Sequence, residues 1–303
     1  MRKPCLPPAL LGLLVAGASG LAGQQAGALE AEVRARIGRD TALVAVAYYD
    51  PVTRDTLLIE ALTRVHAAST MKVPVLIELG RRVSSGELRW TDTLPVRNAF
   101  HSIVDGSEFR LDPADDSDST LYAREGQGAA LIDLARLMIA RSSNLATNLL
   151  IDRLDPARVN RTAHDLGADS IAVLRGVEDA KAYALGRNNT TTARDLARLL
   201  DAIARGRAAG PAATAVLVEL LLAQEFNGGI PAGLPSGVRV AHKTGEITGI
   251  THDAAIVYPP ERGPYVLVIL TRGFAERREA ERLMAEVSRL VYRWAMRRPD
   301  PRE

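Results

Sequence analysis

Residues 69–80 read STMKVPVLIELG, with a serine and a lysine three residues apart at the head of an apolar run. Ser69 suits a helix N-terminus, Pro74 is tolerated in a first turn, and helical spacing places Lys72 on the same face as Ser69. A serine hydroxyl is a weak nucleophile until a neighbouring base takes its proton, and burial can lower the pKa of a lysine enough for that role. Most Ser-x-x-Lys sequences at helix starts are a cap and a surface lysine, so this stretch alone leaves both interpretations open.

Two further stretches are equally ambiguous when each is taken alone. Residues 142–144 read SSN at the start of a predicted helix, where a serine is most simply an N-cap. Residues 242–246 read HKTGE at the end of a predicted strand, where the lysine is most simply solvated and the glycine permits a close approach. The ordered set is more specific, because Ser142 follows Ser69 by 73 residues and Lys243 follows Ser142 by 101.

Strand-forming patterns occur at both ends of the chain. Residues 41–49 and 56–60 flank the turn sequence DPVTRD and are predicted to form a hairpin. Three more predicted strands, at residues 238–242, 253–258 and 265–271, precede an amphipathic helix over about 275–297. We therefore predict one antiparallel sheet built from both chain ends, with a mostly helical middle whose clearest helices span residues 131–140, 144–153 and 192–205.

The ordered motifs Ser-x-x-Lys, Ser-x-Asn and Lys-Thr-Gly resemble the signature of the serine β-lactamase and penicillin-binding protein superfamily, and the chain looks most like the class A β-lactamases. The resemblance runs from the first hairpin to the last helix. It implies an α/β (α+β) fold, in which an antiparallel sheet flanked by helices is joined to an all-helical lobe. The expected arrangement is one catalytic domain over 30–303, with an α/β lobe at about 30–65 and 206–303 and a helical lobe at about 66–205.

The resemblance also implies a role for each motif residue. Ser69 would be the acylated nucleophile, Lys72 its base or proton relay, and Ser142 the donor of a proton to the departing lactam nitrogen. Asn144 would bind the side-chain amide of the substrate. The remaining substrate-binding positions lie in the third motif: Lys243, Thr244, Gly245 and Glu246. Lys243 and Thr244 would hold the substrate carboxylate. The backbone N–H groups of Glu246 and Ser69 would together form the oxyanion hole.

One loop departs from the family pattern. Class A enzymes carry a glutamate, in the pattern Glu-x-x-Leu-Asn, that activates water to release the acyl group. Here residues 174–182 read LRGVEDAKA, so the expected position falls on Val177 and Glu178 is one residue late. Asn189 stands where the aspartate of the usual Arg-to-Asp clasp would be. Glu178 is the candidate water-activating base, and an exposed loop acid is the alternative.

The implied function is hydrolysis of a β-lactam amide through an acyl-enzyme on Ser69, without a metal or other cofactor. Slow deacylation would make the protein a penicillin-binding D-alanyl peptidase or esterase. A third possibility is a non-catalytic cell-wall binding protein on the same fold, although a pure binder has no need of an activated nucleophile. The expected partner is a small-molecule β-lactam or a cell-wall peptide, and the expected state is a monomer.

Composition excludes several other classes. The 303 residues include 38 Lys+Arg and 36 Asp+Glu, a balance too even for a protein that mainly grips nucleic-acid phosphates. One cysteine rules out a disulfide framework or a multi-thiolate metal site.

The chain has no Gly-x-Ser-x-Gly elbow of the kind that accompanies the histidine of a Ser-His-Asp hydrolase, and structural roles are expected for His242 and His252. An acidic cluster does not match a calcium loop, so we expect it to be a solvated loop: Asp112, Asp115, Asp116 and Asp118.

The N-terminal residues 1–29 have the layout of a secretory signal peptide. Arg2 and Lys3 precede an apolar run over 10–21, and small residues follow. That run is about a dozen residues long, short of the ~20 that span a bilayer, although a membrane anchor remains the alternative. Removal before Glu30 would leave a cysteine-free, formally neutral chain, periplasmic or secreted, with no stable membrane insertion.

Overall fold

A computed structural model describes residues 18–260 and 262–297. Its helices are α1 (Ala18–Ile37), α2 (Lys72–Ser84), α3 (Leu131–Ala140), α4 (Asn144–Leu154), α5 (Pro156–Asp165), α6 (Ala180–Ala184), α7 (Ala193–Ala204), α8 (Pro211–Leu222) and α9 (Arg277–Met296). Its strands are β1 (Leu43–Tyr49), β2 (Thr56–Ile59), β3 (Val65–His66), β4 (Thr93–Pro95), β5 (Phe100–His101), β6 (Glu108–Phe109), β7 (Gly128–Ala130), β8 (Thr190–Thr191), β9 (Arg239–Ile247), β10 (Ile250–Tyr258) and β11 (Tyr265–Arg272).

Both chain ends contribute to one antiparallel sheet, as predicted. The strands follow the order β2-β1-β11-β10-β9, and the register pairs Val46 with Ile269 and Ala254 with Lys243. β9 and β10 are longer than their patterns indicated, because they form a tight hairpin and the Lys-Thr-Gly residues lie inside β9 rather than after it. This hairpin places the third motif on the edge strand of the sheet.

The sheet has helices on both faces, which explains why its central strands are largely apolar runs. On one face, alternate residues such as Val46, Leu267 and Val257 pack with α1 and α9. On the other face, Ala45, Val268 and their neighbours join a second core that is continuous with the helical lobe. A strand that is buried on both sides reads as an apolar run without alternation. The predicted α+β architecture is confirmed.

The helical lobe is built around α2, which is buried along most of its length and packs against α4, α5 and α8. Its charged residues Glu78 and Arg82 are internal as well: Arg82 forms a 2.8 Å ion pair with Glu78, and Thr162 donates to Glu78 at 2.6 Å. Full pairing is what makes such burial tolerable. The N-terminal end of α2 contacts β9 through the short turn before it, so Ser69 lies where the two lobes meet. The division near residue 205 stays a prediction, because α8 packs on both α2 and β9.

The acidic cluster is not the solvated loop that we predicted. Asp112 and Asp115 are exposed, but Asp116 accepts hydrogen bonds of 2.9 Å from the backbone N–H groups of Asn144 and Leu145. A carboxylate there satisfies unpaired donors at the N-terminus of α4 and complements its dipole. Asp118 is buried as well and accepts from Thr120 at 2.8 Å. The sequence did not show that this segment folds back onto α4.

Most of the predicted signal peptide lies outside the described residues, which begin within it at residue 18. The remainder, residues 18–29, belongs to α1, whose Leu29 and Val33 are buried. Within 18–260 and 262–297, no helix combines the length and apolarity needed to cross a bilayer. The same residues contain no group of three or more His, Cys, Asp or Glu side chains arranged to hold a metal ion.

Candidate active site

The predicted nucleophile lies in a short 3₁₀ turn (Ala68–Met71) that leads directly into α2. Ala68 has a left-handed φ of 45°, so the chain bends sharply just before Ser69. Gly245 of β9 faces this turn, and a β-carbon there would lie 3.1 Å from the backbone nitrogens of Ser69 and Thr70. Only a glycine allows the strand to approach so closely, which explains the third residue of the Lys-Thr-Gly motif.

Lys72 is completely buried and joins α2 to the second motif. Its ammonium donates to the backbone oxygen of Ser142 at 2.7 Å, to Ser142 Oγ at 3.1 Å and to Asn144 Oδ1 at 3.0 Å. Burial lowers the pKa of Lys72 to about 7, against the opposing pull of the Asp116 and Glu178 carboxylates. Near neutral pH the side chain therefore exists in comparable amounts as a proton-accepting amine and a proton-donating ammonium.

Ser142 occupies the centre of the site in a strained backbone conformation, with a φ of 59°. Ser143, not Ser142, caps α4, and its Oγ accepts from the N–H of Ala146 at 3.3 Å. Ser142 Oγ instead lies 3.1 Å from the Nζ atoms of both Lys72 and Lys243. A hydroxyl oxygen that accepts two hydrogen bonds keeps its own hydrogen available as a donor.

The third motif contributes a second buried lysine. Lys243 Nζ donates to Ser142 Oγ at 3.1 Å and to the backbone oxygen of Thr244 at 2.9 Å. Burial, reinforced by the charge of Lys72, holds the pKa of Lys243 well below its usual range, although Asp253 opposes this. Because β9 is an edge strand in the described sheet, the N–H groups on its outer side face no partner strand there. The predicted oxyanion-binding role of the Glu246 N–H requires such a position.

Ser69 lies between two cavities of the cleft. One, of about 100 Å³, is lined by Ser69, Ser142 and Thr244 together with Arg277 of α9. The other, of about 730 Å³, is lined by Ser69, Asn144, Glu178 and Tyr183, among others. Glu246 borders both cavities, and its carboxylate forms a 2.8 Å ion pair with Arg277. The nucleophile is therefore open to a substrate that extends to both sides of the reacting bond.

Glu178 enters the larger cavity despite its one-residue displacement. Its backbone has a left-handed φ of 64°, and its Oε1 accepts from Asn144 Nδ2 at 2.6 Å. The preceding residue is fixed, since Asn148 accepts from the N–H of Val177 at 2.7 Å and donates to its oxygen at 3.0 Å. Burial raises the pKa of the Glu178 carboxyl, and the nearby Asp116 and Asp115 add to the shift. The alternative of an exposed loop acid is wrong, because Glu178 is half-buried.

Asn144 links the two sides of the cleft rather than standing free for a substrate. Its Oδ1 accepts from Lys72 at 3.0 Å, while its Nδ2 donates to Glu178 at 2.6 Å. The predicted contact with a substrate amide therefore requires Asn144 to exchange one of these partners. The resulting series of hydrogen bonds, from Lys72 through Asn144 to Glu178, could not be predicted from sequence spacing, because it depends on how the Glu178 loop folds over α4.

The clasp of the Glu178 loop is altered, as the sequence indicated. Asn189 accepts from the N–H groups of Leu174 and Arg175 at 2.8 and 3.2 Å and donates to the Arg175 oxygen at 3.0 Å. The Arg175 guanidinium then binds Asn188 Oδ1 and backbone oxygens instead of pairing with a carboxylate. Asp179 has a different partner and accepts a hydrogen bond from Ser102 Oγ at 2.9 Å. An amide thus ties the two ends of the loop together without an ion pair.

The two histidines beside the third motif have structural partners, in keeping with our expectation. His242 lies 2.9 Å from Asp253 Oδ1 and 3.1 Å from Asn227 Oδ1. His252 is buried, which lowers its pKa to about 4, and its Nε2 lies 2.9 Å from the backbone oxygen of His66. Sequence reasoning missed His66 and Arg277, which line the cavities beside Ser69, and it did not connect Asp116 with the N-terminus of α4. His66 lies three residues before Ser69, but no spacing signal marks any of the three residues.

Comparisons with known proteins agree with this geometry. The sequence model of the "Beta-lactamase enzyme family" matches residues 28–295. A β-lactamase of Streptomyces albus G is 33% identical over 143 residues, which cover 46% of this chain and 46% of that protein. The chain spans about half the length of the curated relatives that it matches.

Solved structures extend the likeness over most of the chain. PBP-A superposes with a TM-score of 0.77 at 26% identity, covering 89% of this chain and 97% of that one. The ancestral (GNCA) class A β-lactamase gives 0.76 at 26% identity, covering 88% and 99%. A mutant of PBP-A has been solved as an acyl-enzyme complex with penicillin G. Since the family model covers nearly the whole described chain and the fold agrees, this chain belongs to the β-lactamase enzyme family of β-lactamase-like serine hydrolases.

Proposed function

We propose that the protein is a serine hydrolase of the class A β-lactamase type, which opens the β-lactam amide through an acyl-enzyme on Ser69. The observation that carries this proposal is the state of Lys72. A fully buried lysine with a pKa of about 7, bound to Ser142 and placed three residues after Ser69, is suited to accept and return a proton at neutral pH. A protein that only bound cell-wall material would gain nothing from such a costly burial.

In the acylation step, Ser69 Oγ attacks the lactam carbonyl carbon and its proton passes to the neutral amine of Lys72. The backbone N–H groups of Ser69 and Glu246 bind the developing oxyanion. The C–N bond then breaks, and the departing nitrogen takes the hydrogen of Ser142. Ser142 recovers a proton from Lys72, whose Nζ lies 3.1 Å from its Oγ. The product is an ester of Ser69 with the ring open.

In the deacylation step, Glu178 takes a proton from a water molecule that attacks the ester carbon. The C–O bond to Ser69 breaks, and the proton that Glu178 took from the water is returned to the serine oxygen, which restores the free enzyme. The half-buried Glu178 carboxyl has a raised pKa, which makes it a stronger base when ionised. The 2.6 Å contact with Asn144 occupies Oε1, so Oε2 is the oxygen that takes the proton.

The substrate proposed from the site is a small molecule that carries a carboxylate next to the scissile bond. Thr244 lines that side of the cleft, and the buried Lys243 lies behind it with its Nζ on Ser142 Oγ; the two would hold the carboxylate by hydrogen bonds, charge-assisted from Lys243. Curated relatives of this chain are β-lactamases, and a PBP-A mutant has been solved as an acyl-enzyme complex with penicillin G. We extend this to a monomer that acts in the periplasm or outside the cell and protects against β-lactams.

A second candidate function follows from one observation on the loop. The Asn144 side chain binds Glu178, and both amide atoms of Asn148 bind Val177, so the two amides beside Glu178 have protein partners that compete with the attacking water. If these contacts persist in the acyl-enzyme, deacylation is slow and the protein is a penicillin-binding D-alanyl peptidase or esterase. Both candidates share the acylation of Ser69.

The test combines turnover with mass spectrometry. The purified protein is mixed with a chromogenic cephalosporin, and colour change and intact mass are followed together, with Ser69→Ala as the control. Rapid turnover with no persistent adduct supports the β-lactamase. A stable adduct on Ser69 that outlasts the colour burst supports the peptidase or esterase. Neither adduct nor turnover in the wild type would exclude both candidates.

A further inference from the structure

The bend that presents Ser69 to the cleft is made by a residue poorly suited to it. Ala68 has a φ of 45°, in the left-handed region that disfavours every residue with a β-carbon and is readily adopted only by glycine. Such a conformation persists only where the surroundings hold it in place. The contacts that hold Ala68 also fix the position of Ser69, the next residue in the chain.

One of these contacts comes from the side chain of His66. The backbone N–H of Ala68 donates to Nδ1 of His66, with 3.0 Å between the two nitrogens. Since the backbone can only donate, Nδ1 has to be the unprotonated, accepting nitrogen, and the ring proton resides on Nε2. Burial lowers the pKa of His66 and Arg175 adds to this, which agrees with a neutral ring.

The His66 ring and backbone are themselves fixed from three directions. His66 pairs with Thr190 in the β3–β8 ladder, and its ring meets Tyr183 edge-on at 6.1 Å between centroids. Its backbone oxygen lies 2.9 Å from Nε2 of the buried His252. His66 is therefore anchored to the sheet on one side and to the Glu178 loop on the other.

A single tautomer of His252 satisfies its own contacts. Nε2–H donates to the His66 oxygen, and Nδ1 accepts from the N–H of Thr271 at 3.1 Å. The nearby oxygen of Thr251 receives its hydrogen bond from the Thr271 hydroxyl at 2.6 Å, so it does not need the imidazole. Burial lowers the pKa of His252 to about 4, and the ring stays neutral at ordinary pH.

We infer, on the basis of the acylation proposed for Ser69, that His66 is a positioning residue for the nucleophile: its Nδ1 holds Ala68 in the left-handed turn that presents Ser69 to the substrate. His252 supports this role by fixing the His66 backbone. His66 transfers no proton to or from the substrate. Its contribution is to the fraction of molecules in which Ser69 is correctly placed, and a misplacement of about 1 Å can slow a reaction on the order of a hundredfold.

Two matched variants test the role of Nδ1. In His66→Asn the side-chain oxygen can take the place of Nδ1 and accept from the N–H of Ala68. In His66→Gln the additional methylene moves the amide oxygen away from that position, so the hydrogen bond is lost. Each is treated with a fluorophosphonate probe, which forms an Oγ–P bond with an activated serine and expels fluoride. Labelling of Ser69 is timed by intact mass. We expect His66→Asn to stay within about threefold of wild type and His66→Gln to be slower by about tenfold or more. Equal rates in the two variants overturn the inference.

A second comparison removes the strain itself. Glycine adopts a positive φ without support, so in an Ala68→Gly background the change His66→Gln should slow labelling by less than about threefold. An undiminished effect in that background overturns the inference. Thermal melts of all variants identify losses that reflect unfolding. If His66→Gln does not fold, His66→Ala, which also lacks the acceptor, takes its place in both comparisons.

The same variants are assayed with the chromogenic cephalosporin, which separates this inference from the proposed function. Fluorophosphonate labelling of the wild type without cephalosporin acylation would refute the β-lactam substrate and leave the His66 comparison intact. Labelling by the cephalosporin with no difference between the variants would refute only the role of His66. No labelling of wild-type Ser69 by either reagent overturns both, because there would be no activated serine to position.

Discussion

On one side of the cleft, the reactive groups stand on regular elements or directly beside them: Ser69 lies in the 3₁₀ turn before α2, Lys72 begins α2, Ser142 precedes α4 and Lys243 lies within β9. We call these four residues the motif side. On the other side, Glu178 stands on the loop 174–189, which we call the loop side. Lys72, Ser142 and Lys243 of the motif side are buried and bind one another, whereas the loop side is held by amide contacts from Asn148 and Asn189.

The difference shows how the two reaction steps depend on the fold. Moving a motif-side residue requires a helix or a sheet strand to move, so the groups for acylation are built into the core. Glu178 depends on a left-handed backbone residue and a few hydrogen bonds. Acylation should therefore tolerate changes in the loop, while deacylation should respond to them.

The largest effect is expected at Lys72. Replacement by alanine removes the proton acceptor and should lower the acylation rate by about 10³-fold or more. Lys72→Arg is the matched control, because a guanidinium keeps the charge but does not give up its proton. Stopped-flow measurement of adduct formation should show both variants to be slow. A fully active Lys72→Arg would show that charge alone suffices.

The next effect separates the two sides directly. Glu178→Gln should lower the deacylation rate by about 10²-fold and leave acylation within about threefold of wild type, so that acyl-enzyme accumulates. Asp115→Asn, which removes an exposed carboxylate from the same cavity, is the control and should turn over almost normally. If Glu178→Gln deacylates at the wild-type rate, another group activates the water and the loop side is only structural.

Asn189 tests whether amide contacts alone hold the loop. Asn189→Ala leaves the N–H groups of Leu174 and the buried Arg175 without their acceptor and should lower the free energy of unfolding by about 2 kcal/mol, roughly thirtyfold in the unfolding equilibrium. Asn188→Ala, which loses a single contact with Arg175, should have a smaller effect. Urea denaturation followed by circular dichroism gives both values. Equal stability of the two variants would mean that the loop is held elsewhere.

The smallest effect is the pH dependence of acylation. The reactive form of Lys72 is the neutral amine, and its pKa is lowered to about 7. The acylation rate should then rise about tenfold between pH 6 and pH 8 and level off above that. Single-turnover rates over this range would show it. A rate that keeps rising tenfold per unit beyond pH 9 would mean that Lys72 retains its ordinary pKa.

The same contrast explains what could be predicted from the sequence. The hairpin at 41–60 and the C-terminal strands carry strong apolar patterns, and the motifs lie on them or on predicted helix starts. Asp116 was misjudged because its role depends on a fold-back onto α4. The role of Glu178 was uncertain because it stands one residue later than the family pattern. Its left-handed φ accompanies its entry into the cleft, and nothing in the residue types of the loop predicts that conformation. Asn144 could not be placed for the same reason, since its partner is Glu178.

The buried Lys243 has a thermodynamic consequence. A pKa held well below its usual range means that the Lys243 ammonium gives up its proton more readily than an ordinary lysine, and a bound carboxylate would raise that pKa again. Ligand binding and proton uptake are then linked, so a carboxylate-bearing ligand should draw a fraction of a proton from the buffer. Titration calorimetry of such a ligand, repeated in buffers of different ionisation enthalpy, would report that fraction. The affinity for anionic ligands should consequently weaken as the pH rises.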